Sequence, residues 1–379
     1  VNTTMLNSPD EMQEQMGLAI EEGSPPDVAV AYLYQATAWD GEPLLELDDY
    51  VDDPIWGFTP EEQDDFFPIF WNHDKLDGDR LGIPAHRSAQ MLYYNSTWAE
   101  ELGFSSPPST PAQFRQQACA AARAVKEDEN LDNDSGGGWI ISSNYAAVLG
   151  WLFAFEGQVT DSKGEGYLFD TPEVEEALGF LRKLFEEGCA WLPETELGDV
   201  SEHEFANRLG LFSTGSLTDI PYQEDAFADA KSVDEWTVIP FPSYDNQASI
   251  TIYGPSYFIL KSTPEKQLAS WLLIQWLTSA ENHAKLIKVS GSFPLRASVF
   301  EIIDDGAPPL NQWLQAVDLL PQGRAEPNLP SWRTVRWTVN DVATQLYRWY
   351  FTMEQLPATI ELLDKTANEL HAQDQSGNE

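Results

Sequence analysis

The chain has 379 residues, which is enough for about two or three domains with sizeable cores. Its 21 Lys and Arg residues are outnumbered by 62 Asp and Glu residues, and the formal net charge is -41 at pH 7. A field of this sign repels phosphate backbones and anionic lipid head groups, which excludes nucleic acid and membrane surfaces as main partners.

The first predicted elements alternate between strand and helix. The segments VNTTML and PDVAVAYL have strand character, and between them a helix begins after Ser8 as N-cap and ends before Gly23. This β-α-β order is typical of a parallel sheet covered by helices. The segment GIPAHRSAQMLYYN then predicts two strands leading into a helix with Ser96 as its N-cap.

The rest of the chain continues this alternation. A Pro-rich connection precedes a helix that ends near Lys126, and YAAVLGWLFAF from Tyr145 predicts a core helix too short to span a bilayer. SITIYGPSYFIL predicts a pair of strands, and the segments around it are mainly helical. Lobes built in this way, with Pro-rich crossings between them, predict a ligand cleft and a hinge that closes it.

The motifs of several enzyme and metalloprotein classes are absent. The sequence has no Gly-rich phosphate loop and no Gly-x-Ser-x-Gly elbow, and its five histidines are scattered. We therefore expect no cofactor and no metal site. The two cysteines, Cys119 and Cys189, are expected to be free and buried. Carboxylates are abundant enough that a secreted glycoside hydrolase with two acids in one cleft stays an alternative.

Aromatic residues give a more specific indication. The chain has 14 Trp, 13 Tyr and 19 Phe, and several of them stand at the predicted ends of strands and helices: Trp39, Tyr93, Trp151, Tyr253, Tyr257 and Trp332. Many such rings are simply core residues. An aromatic ring also fits the apolar face of a sugar, so an aromatic and acid-rich cleft favours a neutral polyol over an anion.

The order of several segments resembles a known family. SPDEMQEQMGLAIEEGSPPDVAV, LLELDDYV, GIPAHRSAQMLYYNSTWAEELGF and PSTPAQF follow one another as in the extracellular solute-binding proteins of ABC importers that carry sugars and glycerol 3-phosphate. Later, LGLFSTGS resembles the family's segment of small residues facing the cleft, and VSGSFPLRASVF resembles its Gly-Tyr-x-Pro-x-Arg segment. Ser292, Phe114 and Pro255 depart from its usual residues.

The resemblance implies an α/β, two-lobed, type II periplasmic-binding-protein fold with a hinge and an interlobe cleft. The N-terminal lobe would comprise residues 1–108 and 248–300, and the C-terminal lobe residues 109–247 and 301–379. The chain would begin at the second strand of the family pattern, so that the first strand and helix of the N-terminal lobe are missing from it.

The function implied is capture without catalysis. A neutral sugar or short oligosaccharide would bind in the cleft, and the closed protein would deliver it to the membrane permease of an ABC transporter. We expect a monomer outside the cytoplasm, either periplasmic or lipid-anchored at the outer face of the membrane.

The residues expected to contact the ligand come from matching positions and from strand ends. They are Trp39, Arg87, Ser88, Trp151, Ser213, Thr214, Tyr253, Gly254, Tyr257 and Trp332. Trp151 and Trp332 are the expected stacking platforms, Arg87 and Ser88 the expected hydrogen-bond donors, and Gly254 a point where backbone approaches the ligand.

Two alternatives concern the arginines. Arg87 could instead form a surface salt bridge with one of the many acids. A binder of glycerol 3-phosphate would need a charge-assisted clamp, which Arg87, Arg296 and Arg333 could provide.

Overall fold

The computed structural model describes residues 1–6, 8–39, 41, 43–131, 133–193, 200–244, 248–303 and 311–377. The elements before residue 130 are α1 (Pro9–Glu21), β1 (Val28–Ala31), α2 (Leu33–Ala36), α3 (Asp48–Val51), α4 (Pro60–Asp64), α5 (Pro68–Trp71), β2 (Lys75–Leu76), β3 (Asp79–Arg80), β4 (Gly82–Pro84), β5 (Ser88–Asn95), α6 (Ser96–Glu101) and α7 (Pro111–Glu127).

The middle of the chain contributes β6 (Trp139–Ile140), α8 (Tyr145–Ala154), α9 (Pro172–Glu186), β7 (Ala190–Trp191), α10 (Val200–Ala206), β8 (Phe212–Ser216), α11 (Ile220–Asp229), β9 (Trp236–Ile239), β10 (Ile250–Tyr253) and β11 (Ser256–Ile259). The last elements are α12 (Pro264–Leu277), α13 (Ala280–Ser290), α14 (Phe300–Ile303), α15 (Asn311–Asp318), β12 (Gly323–Ala325), α16 (Trp332–Leu346) and α17 (Leu356–Gly377).

The strands form two main sheets, one for each lobe. In the first lobe, β11 lies between β1 and β4 and is antiparallel to both. The second sheet has the order β12-β10-β5-β8-β6-β7, with β9 paired to β5. The chain therefore passes from the first sheet to the second between β4 and β5, and returns between β10 and β11. This arrangement gives the two-lobed α/β fold.

The crossings from β4 to β5 and from β10 to β11 lie side by side, and the chain crosses a third time between β11 and β12. The N–H of Ala85 donates to the carbonyl of Pro255 at 3.1 Å. Gly254 has φ 148°, and a Cβ at this position would lie 2.4 Å from the carbonyl oxygen of His86. Only glycine permits this close approach, so Gly254 keeps the crossings together.

Local sequence signals account for many element boundaries. Ser8 and Thr110 cap α1 and α7 through the N–H groups of Glu11 and Gln113, as the sequence predicts. The predicted cap of α6 is wrong by one residue, because Asn95 at the end of β5 accepts the N–H of Trp98 at 2.9 Å.

The N-terminal β-α-β prediction is also wrong in part. Residues 1–6 are not a strand, since no strand in the described part of the chain pairs with them. The strand that follows α1 instead pairs with β11 in the antiparallel direction, from Val28 opposite Ile259 to Ala31 opposite Ser256. Parallel pairing occurs in the second sheet, where β6 pairs with β7 and β8.

The two cysteines correct another prediction. Cys119 on α7 and Cys189 just before β7 form a disulfide, with Cα atoms 4.4 Å apart and a sequence separation of 70. The expectation of two free thiols failed because the pairing depends on how α7 packs beside β7. Neither cysteine's local sequence contains that information.

Candidate functional site: an interlobe cluster

Polar and aromatic side chains from both lobes meet beside the crossing strands. We call this set the interlobe cluster, and its members are Tyr32, Tyr34, Tyr145, Tyr253, Glu326, Trp332 and Arg336. Tyr32 and Tyr34 flank the start of α2, and Tyr145 begins α8. Tyr253 ends β10 and Glu326 follows β12, whereas Trp332 and Arg336 are spaced by four residues on α16 and so share one helix face.

Direct contacts join the lobes at this cluster. The guanidinium of Arg336 donates to the hydroxyl oxygen of Tyr34, and its Cζ lies 5.1 Å from the Tyr34 ring and 5.5 Å from the Tyr145 ring. The indole N–H of Trp332 donates to Glu326 Oε2 at 2.9 Å. The rings of Tyr145 and Trp332 meet edge to face at 5.9 Å. The cluster thus combines aromatic rings with one acidic and one basic side chain.

Burial sets the protonation states in the cluster. It raises the pKa of Tyr32 to about 12, with Glu326 acting in the same direction, and it also raises the pKa of Tyr34 and Tyr145. Burial raises the pKa of the Glu326 carboxyl as well, against the opposing effect of the Trp332 N–H. The tyrosines are therefore neutral hydroxyl groups at physiological pH, able to donate and accept hydrogen bonds.

A second polar network lies at the two crossings, and its centre is Arg87. Both oxygens of Asp74 accept from Arg87 Nη2, at 3.0 and 2.8 Å, and Nη1 donates to the carbonyl of Pro255 at 2.6 Å. Arg87 is 0% exposed and Asp74 1%. Burial disfavours the Asp74 anion, yet Arg87 and His73 hold its pKa below the usual value. The charge of Arg87 is thus neutralised within the protein.

Two cavities flank β12. A cavity of about 1210 Å³ lies between the α5 region and α15, and its walls include Gly323 and Ala325. These residues pair with Ile250 and Ile252, so this cavity is on the face of the sheet opposite Tyr253. A second cavity of about 430 Å³ lies between the β2–β3 hairpin and the end of α8. Glu326 lines both.

The structure buries three predicted ligand contacts. Trp332 is 0% exposed and its ring contacts those of Tyr145 and Tyr167, and the other two lie in the lobe cores. The ring of Trp151 is 1% exposed and lies 5.0 to 5.6 Å from four other aromatic rings: Phe114, Trp139, Phe180 and Phe241. Trp39 is 4% exposed and packs edge to face on Phe258. Trp151 is therefore not a stacking platform and Trp39 is not a cleft residue, because other side chains of the same lobe already cover their rings.

Among the predicted residues near the crossing strands, some lie beside the interlobe cluster and others do not. Ser88 lies opposite Tyr253 in the β5–β10 pairing, next to the interlobe cluster. Tyr257 is 9% exposed and belongs to the first sheet, opposite Val30 and Ile83. Gly254 is required because its backbone approaches the carbonyl oxygen of His86, and not because of a ligand. The roles of Ser88 and Tyr253 toward a ligand stay predictions.

The remaining predicted residues contact other parts of the protein. Thr214 accepts the indole N–H of Trp139 at 3.0 Å, and Ser213 beside it is 3% exposed. The anion clamp considered as an alternative is not assembled, because its three arginines are engaged elsewhere. Arg296 stacks on Phe66 at 3.9 Å, Arg333 pairs with Asp374 at 3.1 Å, and Arg87 is paired with Asp74.

Of the interlobe cluster, the sequence analysis named Tyr253 and Trp332 and did not name Tyr32, Tyr34, Tyr145, Glu326 and Arg336. Signals for some of them were present. Tyr145 opens the predicted core helix, and Arg336 stands four residues after Trp332, on the same helix face. Glu326 had no local signal, because it is one of 62 acidic residues and only its burial distinguishes it.

Two lobes, adjacent crossings and a polar aromatic cluster between the lobes define a two-lobed solute-binding protein. The model of the family described as "Bacterial extracellular solute-binding protein" matches residues 1–313. The chain belongs to this family of extracellular binding proteins. Within the described residues, no helix combines the length and the apolar character needed to cross a bilayer.

The chain is similar to curated relatives in sequence, and solved structures share its fold. A binding protein of Brucella abortus is 20% identical over 304 residues, which cover 78% of this chain and 70% of that protein. The sugar-binding protein MalE of Xanthomonas citri aligns with a TM-score of 0.80 at 21% identity, over 97% of this chain and 89% of the other. UgpB of Mycobacterium tuberculosis, solved with glycerophosphocholine, aligns with a TM-score of 0.71 at 16% identity, over 97% and 89%.

Proposed function

We propose that this protein is the substrate-binding component of an ABC importer and captures a neutral sugar or short oligosaccharide between its lobes. The observation that carries the proposal is the interlobe cluster, which offers aromatic rings, neutral hydroxyl groups and a single pair of opposite charges. Such a surface matches a sugar, which has apolar ring faces and a rim of hydroxyl groups. The likeness to the MalE protein supports the same class of ligand.

The proposed mechanism is hinge closure without chemistry. Tyr34 and Arg336 come from different lobes, so a ligand that contacts both favours the closed form over the open form. The closed form is the one that the membrane permease would recognise. The protein would act as a monomer and would return to the open form after release of the ligand.

The proposed location is outside the cytoplasm, either periplasmic or lipid-anchored. The extracellular family supports this proposal. The disulfide between Cys119 and Cys189 supports it independently, because disulfides persist in oxidising compartments.

A phosphorylated polyol is the second candidate ligand. One specific observation favours it: Lys75, Lys163 and Arg324 all line the 430 Å³ cavity in a chain that has only 21 Lys and Arg residues. The likeness to UgpB, which was solved with glycerophosphocholine, points the same way. Binding that weakens strongly with added salt would favour this ligand over a neutral sugar.

A thermal-shift screen at low millimolar concentrations distinguishes these proposals. We expect glucose, maltose or maltotetraose to raise the melting temperature, since a ligand that binds only the folded state stabilises it by about 2.7 kcal/mol at 100 times its Kd. Trimethylamine N-oxide, which is not a sugar, controls at the same concentration for the general stabilising effect of osmolytes. A shift with glycerol 3-phosphate or glycerophosphocholine alone would contradict the neutral-sugar proposal, and release of product from an oligosaccharide would indicate a glycoside hydrolase.

A further inference from the structure

Glu326 differs from almost every other acid of the chain in its burial. Among the acidic residues that the structure describes, Asp74 and Glu326 are almost completely buried as whole residues, at 1% and 3% exposure, and the side chain of Asp234 is 4% exposed. Burying a carboxylate costs free energy unless its oxygens are hydrogen-bonded. The partners of the Asp74 and Glu326 carboxylates therefore show what each one does.

The two carboxylates have different numbers of partners. Both oxygens of Asp74 accept hydrogen bonds from Arg87. Glu326 Oε2 accepts from the indole of Trp332, but Oε1 has no hydrogen-bond partner among the described residues although it is buried. Glu326 therefore has an acceptor oxygen left for a group from outside the chain.

Glu326 is held at the edge of the second sheet, beside two cavities. Its backbone N–H donates to the carbonyl of Ile252 at 3.1 Å, which extends the pairing of β12 with β10. This bond fixes the residue at the edge of the crossing strands, and the side chain lines both cavities beside β12. The acceptor is therefore held on a rigid element next to cavity space.

Arg336 provides a donor in the same cluster. Its Nη1 donates to Tyr34, whereas Nε is buried and has no partner among the described residues. Arg87 and Arg296 also have an unpartnered Nε, so this feature alone is weak. Arg336 differs from them because it shares the interlobe cluster with the incompletely bonded carboxylate.

We infer that Glu326 is a specificity-determining residue for the ligand, whose Oε1 accepts the proton of a ligand hydroxyl group, with Arg336 Nε–H donating to a neighbouring ligand oxygen. This inference rests on the proposed function and narrows its ligand class. A hydroxyl group can both donate and accept, whereas an ionised phosphate only accepts and is repelled by a carboxylate. Glu326 and Arg336 together therefore select a neutral polyol and disfavour an anion at this position.

The test is isothermal titration calorimetry with glucose, maltose, maltotetraose and glycerol 3-phosphate. Glu326→Gln keeps the side-chain shape but removes the charge, and we expect it to weaken sugar binding by about 10- to 100-fold. Its matched control is Glu204→Gln, because Glu204 on α10 also has a buried carboxylate oxygen without a partner. The control should bind as the wild type does.

A second variant keeps the test valid if Glu326→Gln does not fold, which circular dichroism would show. Arg336→Lys retains the positive charge but removes Nε and the planar fork, so we expect weaker sugar binding from this variant also. Arg333→Lys is its control on the same helix, since Arg333 is paired with Asp374 instead of facing the cluster.

The possible outcomes separate the two proposals. If a sugar binds the wild type and both Glu326→Gln and Arg336→Lys bind it equally tightly, the inference is wrong and the proposed function stands. A second outcome also overturns the inference. If Glu326→Gln binds glycerol 3-phosphate more tightly than the wild type binds any sugar, the site near residue 326 accommodates an anion. If the wild type binds none of the three sugars, the neutral-sugar function fails and the inference fails with it.

Discussion

The two buried carboxylates lie in regions with different structural roles. Around Asp74, a guanidinium, a serine hydroxyl and backbone carbonyls form a network at the lobe crossings, in which both carboxylate oxygens are bonded. Around Glu326, one oxygen is bonded and the other is not. Fully bonded buried charges hold a structure together, whereas an incompletely bonded one indicates a place where a partner binds.

The comparison also separates arginines that a sequence pattern treats alike. Arg87 was the leading candidate for a ligand donor, but it joins Asp74 to the backbone of the second crossing at Pro255. The alternative of a surface salt bridge was wrong about the location, because this pair is buried. Arg336 was not predicted as a ligand contact, yet it bridges the lobes through its hydrogen bond to Tyr34.

The largest expected effect comes from breaking the network at the crossings. Arg87→Ala leaves the Asp74 charge buried without its partner, which should lower the free energy of unfolding by about 3 to 5 kcal/mol in urea titrations. Arg115→Ala is the control, since the Arg115–Glu187 pair is exposed and should contribute at most about 1 kcal/mol. Equal effects of the two changes would contradict the structural role of the buried pair.

An intermediate effect is expected from the pH dependence of ligand binding. Burial raises the pKa of Glu326, and a ligand hydroxyl that donates to Oε1 favours its ionised form. Sugar affinity should therefore fall as the pH falls through the pKa of Glu326 in the unliganded protein, by at most about tenfold per pH unit.

The charged and titratable neighbours that act on Glu326 in this pH range are His73, Arg87 and Arg336, and the adjacent tyrosines stay neutral throughout it. Calorimetry from pH 7.5 down to about pH 4.5 measures the profile. The profile of Glu326→Gln should be flat by comparison. If Glu326→Gln shows the same pH dependence of sugar affinity as the wild type, the titrating group is another residue.

The smallest expected effect is on the equilibrium between open and closed lobes. Tyr34→Phe removes the hydroxyl that accepts from Arg336, which should weaken closure by about 0.5 to 1.5 kcal/mol. Small-angle scattering of the sugar-saturated protein would measure this as a larger radius of gyration. Tyr50→Phe, whose hydroxyl bonds only to Gln267 at 3.3 Å, should leave the radius unchanged.

Much of the fold follows from local signals in the sequence. Helices such as α1 and α7 begin where a Ser or Thr cap is followed by Pro. The apolar positions Val174, Leu178, Leu181 and Leu184 bury one face of α9, as their spacing predicts. The two-lobed fold itself was implied by the family resemblance and is confirmed. The predicted lobe boundaries stay predictions.

The candidate site was predictable only in part, because its members come from distant parts of the chain. Residues 32, 145, 253, 326 and 336 meet only after the strands cross between the lobes, and no short pattern joins them. The same reason explains the error at Trp151, since a tryptophan in an apolar helix has the same local sequence whether its ring faces a cleft or a core.

The sequence by itself determined the acidic character, the caps, the apolar faces and the aromatic richness of this protein, because each depends on residues close together in the chain. Tertiary structure decided that the two cysteines pair, that Arg87 is neutralised by Asp74 and that Glu326 is buried with one oxygen unbonded. Those properties depend on burial and on partners far away in sequence. Only the packing of the two lobes supplies both.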